Sequence, residues 1–382
     1  MTTEVITDEY VQEQLNEGLR CIGCGAIMQV LDPTKAGYLP MSALKKSIDS
    51  EELLCKRCFR LRHYNEIQPV ELTDDDFSRL LHQISDARAL IVYVIDVFDV
   101  TGSEIAGLPR FVGQDNPILV VANKVDLLPK LLNKNRLKNW LQAELKVQGI
   151  KPVDIFLTSA THPKNLDGLL DTIDAYREGR DVYVVGVTNV GKSTLINQII
   201  KSGTGVQDLI TTSRFPGTTL DRIEIPLADG KKLIDTPGIV KRDQITHVLA
   251  DKDLKYALPK NEIKPRTYQL NAEQTIFIGG LARFDFESGE HTPITAYFEN
   301  NLNLHRTKLA GADDFYNKHA GELLVPSPRE AATTNLVKHV FNVTEKSDIV
   351  FAGLGWISIP AGVKVAGWAP QGVSVLIRKA MI

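Results

Sequence analysis

The chain has 382 residues, which at about 150 residues per domain makes two or three domains. Its composition, 43% hydrophobic and 24% charged, excludes a disordered, collagenous or disulfide-stapled protein, and no apolar run approaches the roughly 20 residues of a membrane helix. The net charge of −3 excludes binding to nucleic acid through a bulk field, so any such affinity must come from local basic patches. The acidic, polar start MTTEVITDEY has no signal-peptide core, and the expected location is the cytoplasm.

The first readable feature is a pair of C-x-x-C turns, Cys21/Cys24 and Cys55/Cys58, thirty residues apart and holding all four cysteines. Two thiolate pairs supply the closed all-sulfur tetrahedron of structural zinc, with backbone N–H groups of tight knuckle turns donating to sulfur. The alternative, a redox dithiol, needs only one pair and a thioredoxin-like βαβ context, which this stretch lacks. Lys56–Tyr64 places four basic residues and two aromatics around the second turn, which suits either a phosphate-backbone contact or an ordinary solvated face. With four cysteines at hand, His63 reads as a surface residue. Leu39–Leu54 reads as a loop or short helix, and Phe77–Arg88 as a helix with Phe77, Leu80, Leu81 and Ile84 on one side.

Three strand-like runs follow: Ala89–Val97, Pro117–Ala122 and Val153–Thr158. The second ends in Asn123-Lys124-Val125-Asp126, an N-K-x-D tetrapeptide. Its aspartate can accept from both N1–H and N2–H₂ of guanine, a pair adenine does not offer. Asn123 is expected at the base edge and the Lys124 stem over the ring. The third run ends in Ser159-Ala160, where the Ala160 N–H is expected to meet guanine O6. A helix over Asn165–Gly179 leads to the strand Asp181–Val185, and Gly186-Val-Thr-Asn-Val-Gly191-Lys192-Ser193-Thr194 follows directly. This is G-x-x-x-x-G-K-S/T between a strand and a helix, the arrangement in which backbone N–H groups (those of Asn189, Val190, Gly191 and Thr194 among them) and the helix dipole hold phosphate. Lys192 would reach the β- and γ-phosphates and Ser193 would ligate Mg²⁺.

Further strands, Arg222–Leu227 and Lys231–Ile234, lead into Asp235-Thr-Pro-Gly238. Asp235 is placed to hold the Mg²⁺ shell, directly or through water, and the Gly238 N–H to approach the γ-phosphate as a nucleotide-state switch. Between the motifs, Phe215-Pro-Gly-Thr218-Thr219 offers a threonine to the same Mg²⁺; Thr219 is favoured, Thr218 the alternate. The catalytic set is thus Lys192, Ser193, Thr219, Asp235 and Gly238. The position after D-x-x-G, often a water-orienting glutamine, is Ile239, so intrinsic hydrolysis should be slow or assisted.

The motif order is unusual. N-K-x-D precedes the phosphate loop and D-x-x-G comes last, so the chain reads as a circularly permuted P-loop GTPase domain, a mostly parallel sheet with flanking helices. Together with the paired C-x-x-C and Asp96-Val-Phe-Asp99-Val-Thr-Gly102-Ser103, this order resembles the YqeH family of circularly permuted bacterial GTPases. The resemblance implies a zinc-knuckle N-terminus, a separate C-terminal domain, and a role in assembling the small ribosomal subunit through ribosomal RNA or proteins. Asn189 in the phosphate loop is similar to the asparagine of potassium-stimulated GTPases, which implies K⁺ beside the β- and γ-phosphates; it could equally close the loop by its own hydrogen bond.

Beyond Lys260–Tyr268, read as a linker, the chain turns strand-rich. Candidates are Gln274–Ile278, Thr295–Phe298, Ile349–Ala352, Trp356–Ile359 and Val373–Arg378, with a helix near Pro328–His339. Residues 241–382 carry 17 basic and 15 acidic side chains, which is no polybasic arm. Trp356 and Trp368 suit either a base-stacking platform or ordinary β-core. The expected domains are a zinc module over 1–68, the GTPase domain over 69–245 and a β-rich α+β domain over 246–382. A structural nucleotide site in a zinc-dependent adaptor and a small-molecule kinase are the competing classes.

Overall fold

The computed structural model describes the chain apart from residues 1–6, 23–25, 34, 49–52, 65–70, 73–83, 163–165, 202–209, 215–220, 237 and 329–334. By spatial contact it divides into two compact units. Unit 1 takes Met1–Ile95, Ile105–Asn123 and Gln142–Val240; unit 2 takes Asp96–Glu104, Lys124–Leu141 and Lys241–Ile382.

Unit 1 opens with a small module of three helices, α1 (Asp8–Asn16), α2 (Met41–Ser47) and α3 (Lys56–Tyr64). Thr7 caps α1 by accepting the Tyr10 N–H at 3.3 Å. The module closes over its own core of Val11, Met28, Leu44, Leu53 and Leu54 with Cys21, Cys55 and Cys58. The second C-x-x-C, expected as a tight turn, instead runs into α3, so Cys58 sits in the first turn of a helix. Lys56–Tyr64 has helix-forming side chains and no glycine to stop it.

A short strand β1 (Glu71–Leu72) precedes a seven-stranded sheet. Its strands are β2 (Ala89–Asp96), β3 (Ile118–Asn123), β4 (Asp154–Leu157), β5 (Asp181–Val185), β6 (Ile210–Arg214), β7 (Asp221–Pro226) and β8 (Lys232–Asp235), in the order β4-β3-β2-β5-β8-β7-β6. Pairs β3–β4, β2–β5 and β5–β8 are parallel, while β6–β7 and β7–β8 are antiparallel. Every residue of β2 and β3 is buried, as expected of β-branched runs in a sheet covered on both faces. The accompanying helices are α4 (Leu108–Val112), α5 (Lys134–Val147), α6 (Leu166–Arg177) and α7 (Lys192–Lys201). The chain steps outward from β2 to β4, returns to the centre at β5, and then builds the other side. The carboxyl end of β5 is therefore a topological switch point, the place where such sheets bind ligands. A two-residue strand β9 (Gly238–Ile239) pairs with β1.

The C-terminal part of unit 2 holds two five-stranded antiparallel sheets. One is β10 (Arg266–Leu270), β13 (Thr292–Phe298), β17 (Gly355–Ile359), β16 (Ser347–Phe351) and β19 (Val375–Lys379); the other is β14 (Leu304–Lys308), β11 (Gln274–Ile278), β12 (Ala282–Ser288), β18 (Val363–Pro370) and β15 (Leu336–Val343). They share a core that includes Ile276, Phe284, Phe286, Phe298, Phe351 and Ile357. A helix α8 (Ala312–His319) covers Phe277 on the second sheet.

Two expectations are corrected here. The helix placed near Pro328–His339 is absent from its described part: Leu336–Val343 is a strand paired along all eight residues with β18, its β-branched and aromatic side chains suiting a ladder. Of the two readings open for Trp356, ordinary β-core is the one observed. The residue is 1% exposed and lies against Tyr297, ring centroids 4.9 Å apart. Lys260–Tyr268 is also not a free linker, because Ile263 is buried and Arg266 begins β10. Of the helix expected over Phe77–Arg88 only residues 84–88 are described, with Ile84 and Ser85 helical and the chain turning away at Asp86.

Candidate nucleotide and metal sites

The phosphate loop leaves β5 at Gly186 and enters α7 at Lys192. A Cβ on Gly186 would stand 2.8 Å from the Val94 carbonyl, so the loop can pass this close to β2 only as glycine. Asn189 (φ 65) and Gly191 (φ 87) both take the left-handed conformation that turns the loop, which gives Asn189 a backbone reason to be asparagine. Behind the loop, Leu195, Ile196, Ile199 and Ile200 anchor α7 in the core. Ser193 is half-buried, and Thr194 and Asn189 are exposed.

Lys192 is 6% exposed, and its ammonium donates to the Asp235 carboxylate and the Thr236 carbonyl. The lysine assigned to the phosphates, at the start of α7, and the aspartate assigned to magnesium, at the end of β8, thus lie side by side. Thr236 Oγ1 returns a bond to the Val184 carbonyl at 2.8 Å, which fixes the end of β8 against β5. The switch segment is tied to the loop itself: Thr188 N–H donates to the Ile239 carbonyl at 2.7 Å, and Ile239 N–H to the Gly186 carbonyl at 3.3 Å. Ile239, where other GTPases carry glutamine, is buried. A Cβ on Gly238 would press Thr188 at 3.3 Å. Thr218 and Thr219 lie outside the described residues.

Asn123 does something the sequence did not announce. Its Nδ2 donates to the Val190 carbonyl at 2.8 Å and its Oδ1 accepts the Ala160 N–H at 2.9 Å. At 1% exposure it ties the phosphate loop to the loop after β4. The side chain expected at the base edge and the N–H expected at guanine O6 are thus bonded to each other, which holds the two loops together. A partner 67 residues away is not visible in a tetrapeptide. Ser159 Oγ lies 3.0 Å from Thr161 Oγ1 and supports the same loop.

Lys124 and Asp126 belong to unit 2. Lys124 has φ 63 and its Nζ donates to Asp96 Oδ2 at 2.6 Å; Asp126 follows, half-buried, in the single 3-10 turn Val125–Leu127. The D-V-F-D-V-T-G-S stretch now has a physical role. Asp96 receives Lys124, while Asp99 accepts from Gln244 Nε2 at 3.0 Å. Burial and then the charge of Asp96 push the Asp99 carboxyl up to about 6, against the Gly102 and Gly353 N–H groups. Gly102 is needed there, since a Cβ would fall 1.9 Å from Asp99 Oδ2.

In the N-terminal module the sulfurs of Cys21, Cys55 and Cys58 lie within 4.8 Å of one another, all buried. The Cys55 N–H donates to Cys21 Sγ at 3.1 Å, the contact that stabilises a thiolate. Three soft donors gathered around one point fit a thiophilic ion such as zinc. Cys24, the expected fourth ligand, lies outside the described residues.

Comparison with known proteins agrees with this geometry. The family model described as "50S ribosome-binding GTPase" matches residues 181–273, and the one described as "YqeH-like, C-terminal" matches 291–381. The GTPase match begins at β5, leaving N-K-x-D upstream of it, as permutation requires. The chain is 53% identical to the protein YqeH of Bacillus subtilis (strain 168) over 96% of its own length and 100% of the relative's. It is 29% identical to NO-associated protein 1, chloroplastic/mitochondrial, of Arabidopsis thaliana, covering 92% of this chain and 71% of that one. To GTPase Der of Methylococcus capsulatus it is 29% identical over 47% of this chain and 39% of that one. Among the described residues no helix is long and apolar enough to cross a membrane. A GTPase domain acts on GTP, holds GDP afterwards and works with Mg²⁺. A permuted sheet whose phosphate loop carries its lysine against the D-x-x-G aspartate, in a chain more than half identical to YqeH along nearly its whole length, places this protein in the YqeH family of GTP-hydrolysing enzymes.

Proposed function

We propose that this GTPase is a nucleotide-controlled switch in the cytoplasmic assembly of the small ribosomal subunit, binding ribosomal RNA and/or ribosomal proteins through its C-terminal domain. The supporting observation is the continuity of the switch with that domain. Ile239 is hydrogen-bonded to the phosphate loop, and four residues later the Asp243 carbonyl accepts the Ser374 N–H at 2.9 Å. At most about 14 Å of chain separates the two anchors. A shift of Gly238 towards a γ-phosphate is therefore passed to the β-domain through a very short tether.

In this reading Lys192 and Ser193 hold the phosphates and Mg²⁺, Asp235 and Thr219 complete the Mg²⁺ shell, and Asp126 reads guanine. Cys21, Cys24, Cys55 and Cys58 hold Zn²⁺, which shapes the module carrying the basic helix α3. Asn189 holds K⁺ beside the phosphates, where a fixed cation offsets developing charge. The reading of a structural nucleotide site in an adaptor is disfavoured by the intact Lys192–Asp235 pair.

The description "50S ribosome-binding GTPase" belongs to that family as a whole, so the test offers both subunits. Full-length protein with a non-hydrolysable GTP analogue is sedimented with purified small or large subunits and then crosslinked, and the attached RNA is sequenced. Co-sedimentation with the small subunit and tags clustered in its RNA are expected. Retention on the large subunit alone would overturn the assignment.

A further inference from the structure

The loop carrying Lys124 and Asp126 is held by a segment more than 130 residues downstream. After the turn, the Leu127 carbonyl accepts the Ile263 N–H at 2.9 Å. The Lys130 N–H donates to Glu262 Oε1 at 2.9 Å, and Lys130 Nζ pairs with Glu262 Oε2 at 3.1 Å. Residues 262 and 263 thus run alongside 127–130 as a splint, with Ile263, Leu127 and Leu128 all buried. The splint is itself braced. Asn300, in the connection from β13 to β14, donates from Nδ2 to the Glu262 carbonyl at 2.9 Å and accepts the Lys264 N–H on Oδ1 at 2.8 Å. Further along, Trp140 Nε1 donates to the Lys379 carbonyl at 3.0 Å, with the Arg378 guanidinium 4.9 Å over its ring. All of these contacts lie within unit 2.

We propose that Glu262 and Asn300 are positioning residues for guanine recognition, through which the C-terminal β-domain holds the N-K-x-D loop in the shape that lets Asp126 read the base. This rests on the assignment of Asp126 as the guanine reader. Neither Glu262 nor Asn300 touches nucleotide in this scheme. They act through Lys130 and Leu127, three residues beyond the last turn of the motif and one beyond Asp126. Because coupling is reciprocal, a macromolecule on the β-domain that draws 262–264 away from 127–130 would loosen guanine nucleotide, and nucleotide would oppose its binding.

The test measures affinities of full-length protein for GDP and for inosine diphosphate, which lacks the 2-amino group that Asp126 would bind. The variants are Glu262→Ala, Asn300→Ala, the conservative Glu262→Gln, and Asp126→Ala as reference. Loss of one such contact corresponds to about a 3–10-fold weaker GDP affinity. Glu262→Ala and Asn300→Ala are expected to show that loss together with a reduced preference for GDP over inosine diphosphate. The nucleotide-free melting temperature of Glu262→Ala should fall by no more than about 2–4 °C, because its side chain is partly solvated. Glu262→Gln keeps the acceptor for the Lys130 N–H and should restore most of the preference. If Asp126→Ala destroys guanine preference while Glu262→Ala and Asn300→Ala leave it intact, the positioning role is wrong. If Asp126→Ala leaves guanine preference unchanged, the base-reading assignment itself falls, and the positioning role with it.

Discussion

The residues assigned to the phosphates and those assigned to the base are supported in different ways. Around the phosphate loop every tie is local to the parallel sheet: Lys192 meets Asp235, Thr236 bonds Val184, and Ile239 bonds Gly186 and Thr188. A loop at a topological switch point is shaped by the strands on either side of it. Lys124 instead pairs with Asp96, and the segment just after Asp126 is held by the 262–264 splint of the C-terminal β-domain. On the proposal above, phosphate handling is intrinsic to the sheet, whereas base reading borrows its rigidity from the C-terminal domain. Breaking one should leave the other recognisably intact.

The largest effect is expected outside both regions. If the cysteine cluster holds zinc as proposed, Cys55→Ser or chelation should abolish metal binding and unfold the N-terminal module, since such metal sites contribute on the order of 10 kcal/mol to small domains. Metal content per chain and a lost early melting transition would report it, with GDP affinity nearly unchanged. In unit 2, Trp356→Ala should cost about 3–5 kcal/mol in denaturant unfolding, as for a large aromatic removed from a packed core. A weakened RNA affinity at unchanged stability would restore the stacking-platform reading.

In unit 1, Lys192→Ala should slow phosphate release at saturating GTP by about 100-fold or more, the scale of losing one preorganised charge partner of the transition state. The preference for GDP over inosine diphosphate should survive, which is where the two regions part. A pH experiment probes unit 2. The folded Asp99 carboxyl titrates near 6 against an ordinary 3.8, so between those values the unfolded chain releases a proton that the folded chain keeps. Stability from this group therefore falls as pH rises through that window, by about 3 kcal/mol in all. Subtracting the profile of Asp99→Asn from that of the parent should reveal this slope; parallel profiles would refute it. The smallest effect concerns K⁺. Asn189→Gly keeps the left-handed backbone and removes the side chain, and should abolish about a tenfold faster hydrolysis in KCl than in NaCl. Asn189→Ala would confound this with backbone strain, because of the φ of 65.

What was readable in the sequence follows the same division. The phosphate loop, D-x-x-G and N-K-x-D each follow a buried β-branched strand, so local pattern and local chemistry agree at Asp181–Ser193, Lys232–Asp235 and Ile118–Asp126. The ties that hold them are long-range. Asn123 reaches Val190 and Ala160, and Lys130 reaches Glu262, pairs that no spacing rule links. In the β-domain, β12 escaped notice because Arg283 and Asp285 interrupt its apolar residues. Both are nevertheless buried, since Arg283 and Thr275 each bond Asp285 at 2.7 Å on the face of the sheet that α8 covers, where Arg283 also reaches Asp313. Likewise β18 carries a Gly, a Trp and a Pro, and is a strand because β12 and β15 pair with it on both sides.

The switch account rests on the short path from Gly238 to the β-domain, and its most direct test is the affinity of the full-length protein for purified small ribosomal subunits with GDP and with a non-hydrolysable GTP analogue. A coupling of about 1–3 kcal/mol predicts affinities that differ by about 5–150-fold. Equal affinities in the two nucleotide states would contradict it.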